Sequence, residues 1–464
     1  MRSLIIWTLI GTSGALANTI RNPARKAEYW NGEVHEAIMK NKTASWAARR
    51  AAGEYKSARF ASLSYTPCVN GRAGEFKCNN VDLYSFKSHA QLGSATGEGS
   101  SSWGWEHAGR DFGIIAQSDG AAFIEILPTG EIDYLGRLPK TDAAAVSIWR
   151  EIRFFDLTKL LKIKPEEKPK TFDPNNDASL FRGLPVGRTH NVVANPDFPY
   201  VVSVGSFPRT SQFAAGLVFI DIRDPANPKL LGYQAEDGYV HDAQCLLYRG
   251  PDTRFQGKDI CYGYNEDTLT IYDVTNKANS TIISRTGYDG ASYTHQGWVL
   301  DPNDQSYLVL DDELDERNKA GLAKDGFPIT YIWDIRDLTK PVLTGHYKSS
   351  VKGIDHNQYV ANGKSYQSNY GAGLRILDIS SIPRDPTGRS VREVGYIDIY
   401  PEDDNAEGGG NVAYAGSWSS YPLYKSGWIL VNTIERGAVS IIEYIFEGLL
   451  AHKAIHTVRR EVYR

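Results

Sequence analysis

The sequence predicts an all-β protein, a seven-bladed β-propeller with an N-terminal strand closing the last blade, preceded by a short helical segment. Three observations predict it. An acid-bearing apolar motif recurs seven times, and a run opening on His or Trp recurs seven times between those motifs. The C-terminal end also lacks the fourth strand of its blade, while a strand without inner partners stands near the front. Units this short cannot each bury a core, but stacked around a channel they bury one another.

The acid motif runs AFIEIL (Glu125), RFFDLT (Asp156), VFIDIR (Asp221), TIYDVT (Asp273), YIWDIR (Asp334), RILDIS (Asp378) and SIIEYI (Glu443). It reads as the third strand of each blade. Its acid is expected to tie the following turn through backbone N–H groups. The "LLG" or "LTG" that often follows reads as the fourth strand. Innermost strands are predicted at WEHAG (His107), IWREI (Trp149), THNVV (His190), VHDAQ (His241), THQGW (His295), DHNQY (His356) and SWSSY (Trp418). Second strands such as YVVSVG and YLVLDD stand between. Closure falls to Val81 to Leu92, predicted to pair beside Val439 to Tyr444, so that no inner edge stays open.

The third blade departs from the pattern and reads as truncated. Trp149 to Arg153 run straight into Phe154 to Thr158, with no second strand between. Only 31 residues separate Glu125 from Asp156, against 44 to 65 for the other intervals. Either the blade is short or the sequence lacks a coding segment. The second is expected, because a lost strand leaves backbone groups unpaired within a sheet stack.

Outside the repeats, residues 1–17 read as a secretory signal peptide: Arg2, an apolar run from Leu4 to Ile10 broken by Thr8, and Ala15-Leu16-Ala17 as the cleavage site. That run is too short to span a bilayer, and no later segment approaches the length needed. A secreted, extracellular protein with no membrane span is expected. Residues 18–80 form an N-terminal helical segment and a disulfide loop, with Trp30, Val34, Ile38 and Trp46 at roughly helical spacing. This reads as amphipathic helix on the propeller rim, or as a removable pro-segment. The propeller is placed at 81–445 and a basic tail at 446–464.

The four cysteines suit an oxidising compartment. Cys68–Cys78 and Cys245–Cys261 are the simplest of the three pairings, the alternative for the second pair being buried free thiols. Asn41 and Asn279 head glycosylation sequons. A net charge of −4 leaves no basic surplus for phosphates, which excludes nucleic acid as a partner.

Together, the repeated acid motifs, the THNV, HDAQ, HQGW and DHNQ runs and LVLDDELDE (Leu308 to Glu316) resemble the LVIVD-repeat proteins, closest to the secreted "choice-of-anchor B" group. The resemblance spans Asn80 to Ile445. It implies a propeller-type repeat fold and an extracellular setting, and supplies no established activity.

Strands alternate direction within a blade. Inner-strand starts and second-strand ends therefore share one face. His107, His190, His241, His295 and His356 are expected to form an arc at one mouth of the channel. Asp119, the run Asn265 to Asp267, and Asp311 with Asp312 and Glu313 should join them. Imidazoles beside carboxylates suit a divalent metal or acid–base work. The alternative is that each His braces its own blade, and Trp149 and Trp418 in matching places favour packing there. The run Asp311 to Glu316 also suits calcium, although acid-rich loops are commonly just solvated. No GxSxG, HExxH or phosphate-binding glycine loop is present, so no catalytic residue is assigned. The reading is a secreted propeller of unestablished activity that binds an extracellular ligand, protein or metal at the His-rich mouth. The alternative is an extracellular metal-dependent enzyme, a lyase or hydrolase possibly acting on carbohydrate, using the same site.

Overall fold

A computed structural model of the chain describes residues 18–19, 25–141, 151–185 and 187–444. The signal-peptide residues, Trp149 and the C-terminal tail lie outside the described residues.

The chain folds as a β-propeller with six complete blades rather than seven. Their innermost strands are Gly99–His107, Asn191–Ala194, Asp242–Leu247, Thr294–Val299, Asn357–Ala361 and Ser417–Tyr421. Each is followed outward by antiparallel partners, as alternating short strands and tight turns require. Between the first and second complete blades stands a remnant of two strands, Arg153–Phe155 paired with Ala178–Leu180. It supplies only the outer half of a blade. Phe155 packs on Phe123 of the blade before, at 4.7 Å between ring centroids, and Phe154 joins Val201 and Ile220 of the blade after. The physical reason for the lower count lies in the sequence: no residues separate the Trp149 run from the acid motif, which leaves no length for a second strand between them.

Closure follows the expected route. Val81–Ser88 adds to Gly437–Glu443 as the fourth strand of the last blade, in antiparallel register from Glu443↔Val81 to Gly437↔Ser88. Phe76–Asn79 continues onto the outer edge of the preceding blade, beside Arg392–Asp398. Cys68–Cys78 ties this segment back on itself. Cys245 and Cys261 face each other on neighbouring strands with Cα atoms 4.0 Å apart and form the second disulfide.

Five of the seven repeat acids do one local job. Asp156, Asp221, Asp273, Asp334 and Asp378 each accept a hydrogen bond from the backbone N–H two residues on, at 2.9 to 3.1 Å. These turns close the third strand and aim the chain into the fourth. The core lies between blades. Tyr262, Tyr264, Leu269 and Ile271 of one blade interleave with Leu308, Leu310, Tyr331 and Trp333 of the next.

Two helices cover one mouth: α1 (Lys26–Asn31) and α2 (Glu33–Ala51), joined at Gly32 with a left-handed φ of 89°. On α2, Val34, His35, Ile38 and Lys42 are buried, positions separated by one, three or four residues and hence on one face. They pack with Tyr29 on a ring of Tyr239, Tyr293, Ile354, Tyr370 and Tyr414. Trp30 departs from the expected apolar stripe. It sits on α1, before the Gly32 break, and is exposed.

Candidate functional site

The inner strands start at the mouth beneath α2. His190, His241, His295 and His356 come from four successive blades. Their ring centroids are 4.2, 4.0 and 4.6 Å apart in that order. Nδ1 of His190 donates to the His241 carbonyl at 3.0 Å, and Nδ1 of His241 to the His295 carbonyl at 2.8 Å. Nδ1 of His356 donates to the Trp418 carbonyl at 2.8 Å. A carbonyl can only accept, so these bonds place the proton on Nδ1 and leave Nε2 with its lone pair. One interaction thus staples blade to blade and fixes the tautomer a metal ligand needs.

His107 does not join the arc. It ends its inner strand instead of starting it, at the turn to Arg110, and stacks against Trp105 on the opposite, exposed face. Asp119 is at the predicted strand end but is consumed locally: it accepts from Ser94 and from the Ala95 N–H and pairs with Arg137.

The second-strand acids divide by direction. Asp312 turns toward the backbone, accepting from Ser292 and Tyr293 N–H at 2.7 Å and from Leu314 N–H at 3.2 Å, with Tyr288 on the same carboxylate. It is a brace. Asp311 accepts from Gln296 N–H and Gln358 Nε2, with His295 Nδ1 3.4 Å away. The acid at the centre is Glu313. His356 Nε2 lies 3.7 Å from its Oε1 and His295 Nε2 lies 3.9 Å from its Oε2. One ligand atom from each of His295, Glu313 and His356 falls within 4.8 Å of the others.

Lys42 reaches down from α2 into this group. Its Nζ is 2.5 Å from Glu313 Oε1, and the Tyr370 hydroxyl donates to the same oxygen at 2.7 Å. Glu313 Oε2 has no hydrogen-bond donor. Burial alone would push the Glu313 carboxyl up, but the Lys42 ammonium and the neighbouring His356 hold it below its usual range. Burial pushes His190 and His356 down to about 4. Burial holds His241 and His295 well below the ordinary value, with His295 adding to the effect on His241 and His356 and Lys42 to that on His295. At neutral pH the site is a set of uncharged imidazoles around one carboxylate, with a lysine ammonium in the position of a cation.

Around this centre α2 is pinned by further contacts. His35 Nδ1 is 2.7 Å from the Tyr293 hydroxyl, and Arg209 bridges Glu266 and the Tyr29 carbonyl. The histidines are legible in the repeat because they share a strand position. Lys42 is not, since it lies on a helix outside the repeat, and Glu313 is hidden beside its two acidic neighbours. The available signal was alternation: acids next to each other along a strand face opposite ways, so the run could not point together.

No family model matches the chain, and no curated protein matches it. Among solved structures it is similar to the β-propeller domain of a Myceliophteria thermophila protein, at 10% identity and TM-score 0.41 over 74% of this chain and 100% of that one. A Lactobacillus plantarum protein is similar at 11% identity and TM-score 0.39, over 58% of this chain and 72% of that one. A functionally unknown protein from Desulfotomaculum acetoxidans is similar at 15% identity and TM-score 0.36, over 57% and 69%.

Proposed function

We propose that this is a secreted propeller of the LVIVD-repeat type that binds a divalent transition metal at the channel mouth, through His295, His356 and Glu313, with His241 and His190 beside them. One observation carries the reading: one ligand atom from each of His295, His356 and Glu313 falls within 4.8 Å of the others, with the His356 Nε2 lone pair left free by its Nδ1 bond and Glu313 Oε2 without a donor. Two imidazoles and one carboxylate are a common ligand set for zinc with an open fourth position, at bond lengths of about 2.0–2.2 Å. The two disulfides accord with the extracellular setting, and among the described residues no helix is long and apolar enough to cross a membrane.

Lys42 makes the site conditional. An ammonium bound to Glu313 and a metal bound to Glu313 exclude each other by like-charge repulsion. Metal binding therefore requires the lysine to withdraw, and α2 acts as the plug that holds it in place. The same contact supports the pro-segment reading of this helix.

The test uses the full-length purified protein, with metal content by mass spectrometry and cobalt(II) titration followed by its visible spectrum. Lys42→Ala should bind cobalt at least ~10-fold more tightly than the parent, the order expected when a group bonded to a ligand is changed. Replacing His295 and His356 with Gln should abolish the spectrum. If parent and Lys42→Ala alike bind no metal, and the double Gln variant only lowers the melting temperature, the histidines are blade braces and the proposal is wrong.

A further inference from the structure

A second group of acids lies beside this site and faces away from it. Asp315 and Glu316 open a short helical turn, Asp315–Asn318, two and three residues after Glu313. Asp355 immediately precedes His356 on the next blade. Strand and turn geometry thus send Glu313 and His356 toward the channel mouth and their sequence neighbours to the other side. All three acids are buried, at 0 to 3% exposure.

What they lack is a partner. Asp315 Oδ2 accepts from the Tyr331 hydroxyl at 2.7 Å, and Glu316 Oε1 accepts from the Asp355 N–H at 3.2 Å. Those bonds orient two of the carboxylates by one oxygen each. The remaining oxygens, Asp315 Oδ1, Glu316 Oε2 and both of Asp355, receive no hydrogen bond from any donor outside the group, although the Asp315 and Glu316 carboxyls stand close enough to share a proton. One oxygen from each side chain falls within 4.8 Å of the others. No Lys, Arg or His among the described residues forms an ion pair with them. Arg317, Lys319, Lys324 and Lys352 rim the neighbouring pocket together with Asp325, and Lys352 is directed to Glu407. A buried charge without a partner is costly, and three converging ones are more so.

We propose that Asp315, Glu316 and Asp355 form a binding site for one hard divalent cation, calcium, separate from the histidine site. The all-oxygen donor set selects this class over zinc or copper, which prefer imidazole. Calcium–oxygen bonds of about 2.3–2.6 Å put opposite ligands up to about 5 Å apart, a span that accommodates one oxygen from each of the three carboxylates within 4.8 Å of the others. Glu316 also lines an open pocket of about 410 Å³, which gives an ion a route from solvent. The site joins two successive blades, since Asp315 and Glu316 follow a strand of one and Asp355 leads into the next. Calcium would fasten them next to the histidine staples.

The experiment is calcium binding by the full-length protein after chelator treatment. Direct titration is paired with terbium luminescence, excited through Tyr331, whose hydroxyl touches Asp315. One equivalent should bind, chelator should lower the melting temperature, and added calcium should restore it. Glu316→Gln and Asp355→Asn should each weaken binding at least ~10-fold, while the double Gln variant of His295 and His356 keeps it. Should Asp355→Asn fail to fold, the parent protein and Glu316→Gln decide the matter alone. Parent protein that binds no calcium and shows no thermal response to it overturns the proposal. So does either amide variant melting higher than the parent regardless of calcium, because the acids would then be sharing protons. Binding of magnesium but not calcium overturns the assignment as well.

Discussion

Individual buried charges give this protein a pH response with two opposing arms. Burial lowers the pKa of His190 and His356 to about 4. The unfolded chain takes up protons at these histidines below about 6.5 while the folded one does not. Their contribution is therefore full above about 6.5 and is lost as pH falls toward 4. Buried carboxyls act in the other direction. Burial raises Asp242, Glu266 and Asp398 to about 7 and Glu435 to about 8. A raised pKa means that the folded state holds a proton the unfolded state has released. That contribution is present below about 4.5 and disappears as pH rises through the folded value. Above pH 6.5 only the second arm remains, so the melting temperature should fall between pH 6.5 and 8.5. Glu435 faces Arg49 at 3.7 Å and accepts from the Gly416 N–H, with Glu402 the nearby like charge. Glu435→Gln keeps the acceptor and removes the titration. Its pH slope in this window should be shallower, by at most about 1.4 kcal/mol per pH unit. Thermal melts across pH check this, and an unchanged slope would assign the response to other groups.

The strands show why the repeat could be read and where its letters come from. The aspartate of the third strand was legible because the same turn is closed in four blades, and even the remnant keeps it at Asp156, whereas Glu125 and Glu443 in the same place pair with Arg110 and Lys364 instead. The glycine of "LLG" and "LTG" has a different cause, which no turn rule supplies. A Cβ on Gly232 would sit 1.9 Å from the Lys277 carbonyl oxygen of the next blade, and one on Gly345 would sit 2.3 Å from Thr387. The neighbouring loop lies directly on the fourth strand there, and only a residue without a side chain lets it. Gly257 offers the contrast: its φ is +74°, but nothing stands within 4 Å. Gly257→Ala should cost about 1–2 kcal/mol, the strain of an alanine in left-handed backbone. Gly232→Ala must displace a backbone carbonyl and should cost more, on the order of the 1–3 kcal/mol of overpacking or above. Urea unfolding of the two variants gives the order, and equal costs would remove close approach as the reason for the glycine. The helices were only half legible. Spacing marks Val34 and Ile38, but the break at Gly32 separates Trp30 from them, and Lys42 is a charged residue on the buried face whose partner lies 271 positions away.

Across the whole ring, sequence counting reached seven repeats where the structure holds six blades and a half. The counting was sound for motifs, since the remnant carries its acid strand. It failed for blades because a motif marks one strand and a blade needs four. The cost of the shortfall is visible at the notch. Four of the other inner strands are mostly buried, as at Asp242–Leu247, but Asn191–Ala194 is largely exposed, with Val192 at 40%, and Gly99–His107 is exposed along much of its length. An exposed apolar strand face is what an inner hairpin beside it would cover. We predict that inserting a strand–turn–strand segment between Trp149 and Arg153, patterned on Tyr200–Val204 and its turn, completes a seventh blade. The insertion should raise the melting temperature and protect the amides of Asn191–Ala194 from hydrogen exchange, because that strand gains a neighbour on its open face. A message encoding such a segment at this position would show the same thing in the natural gene. If the insertion lowers stability and leaves those amides exchanging as before, the short blade is a finished feature of the fold and the ring is built to close around six.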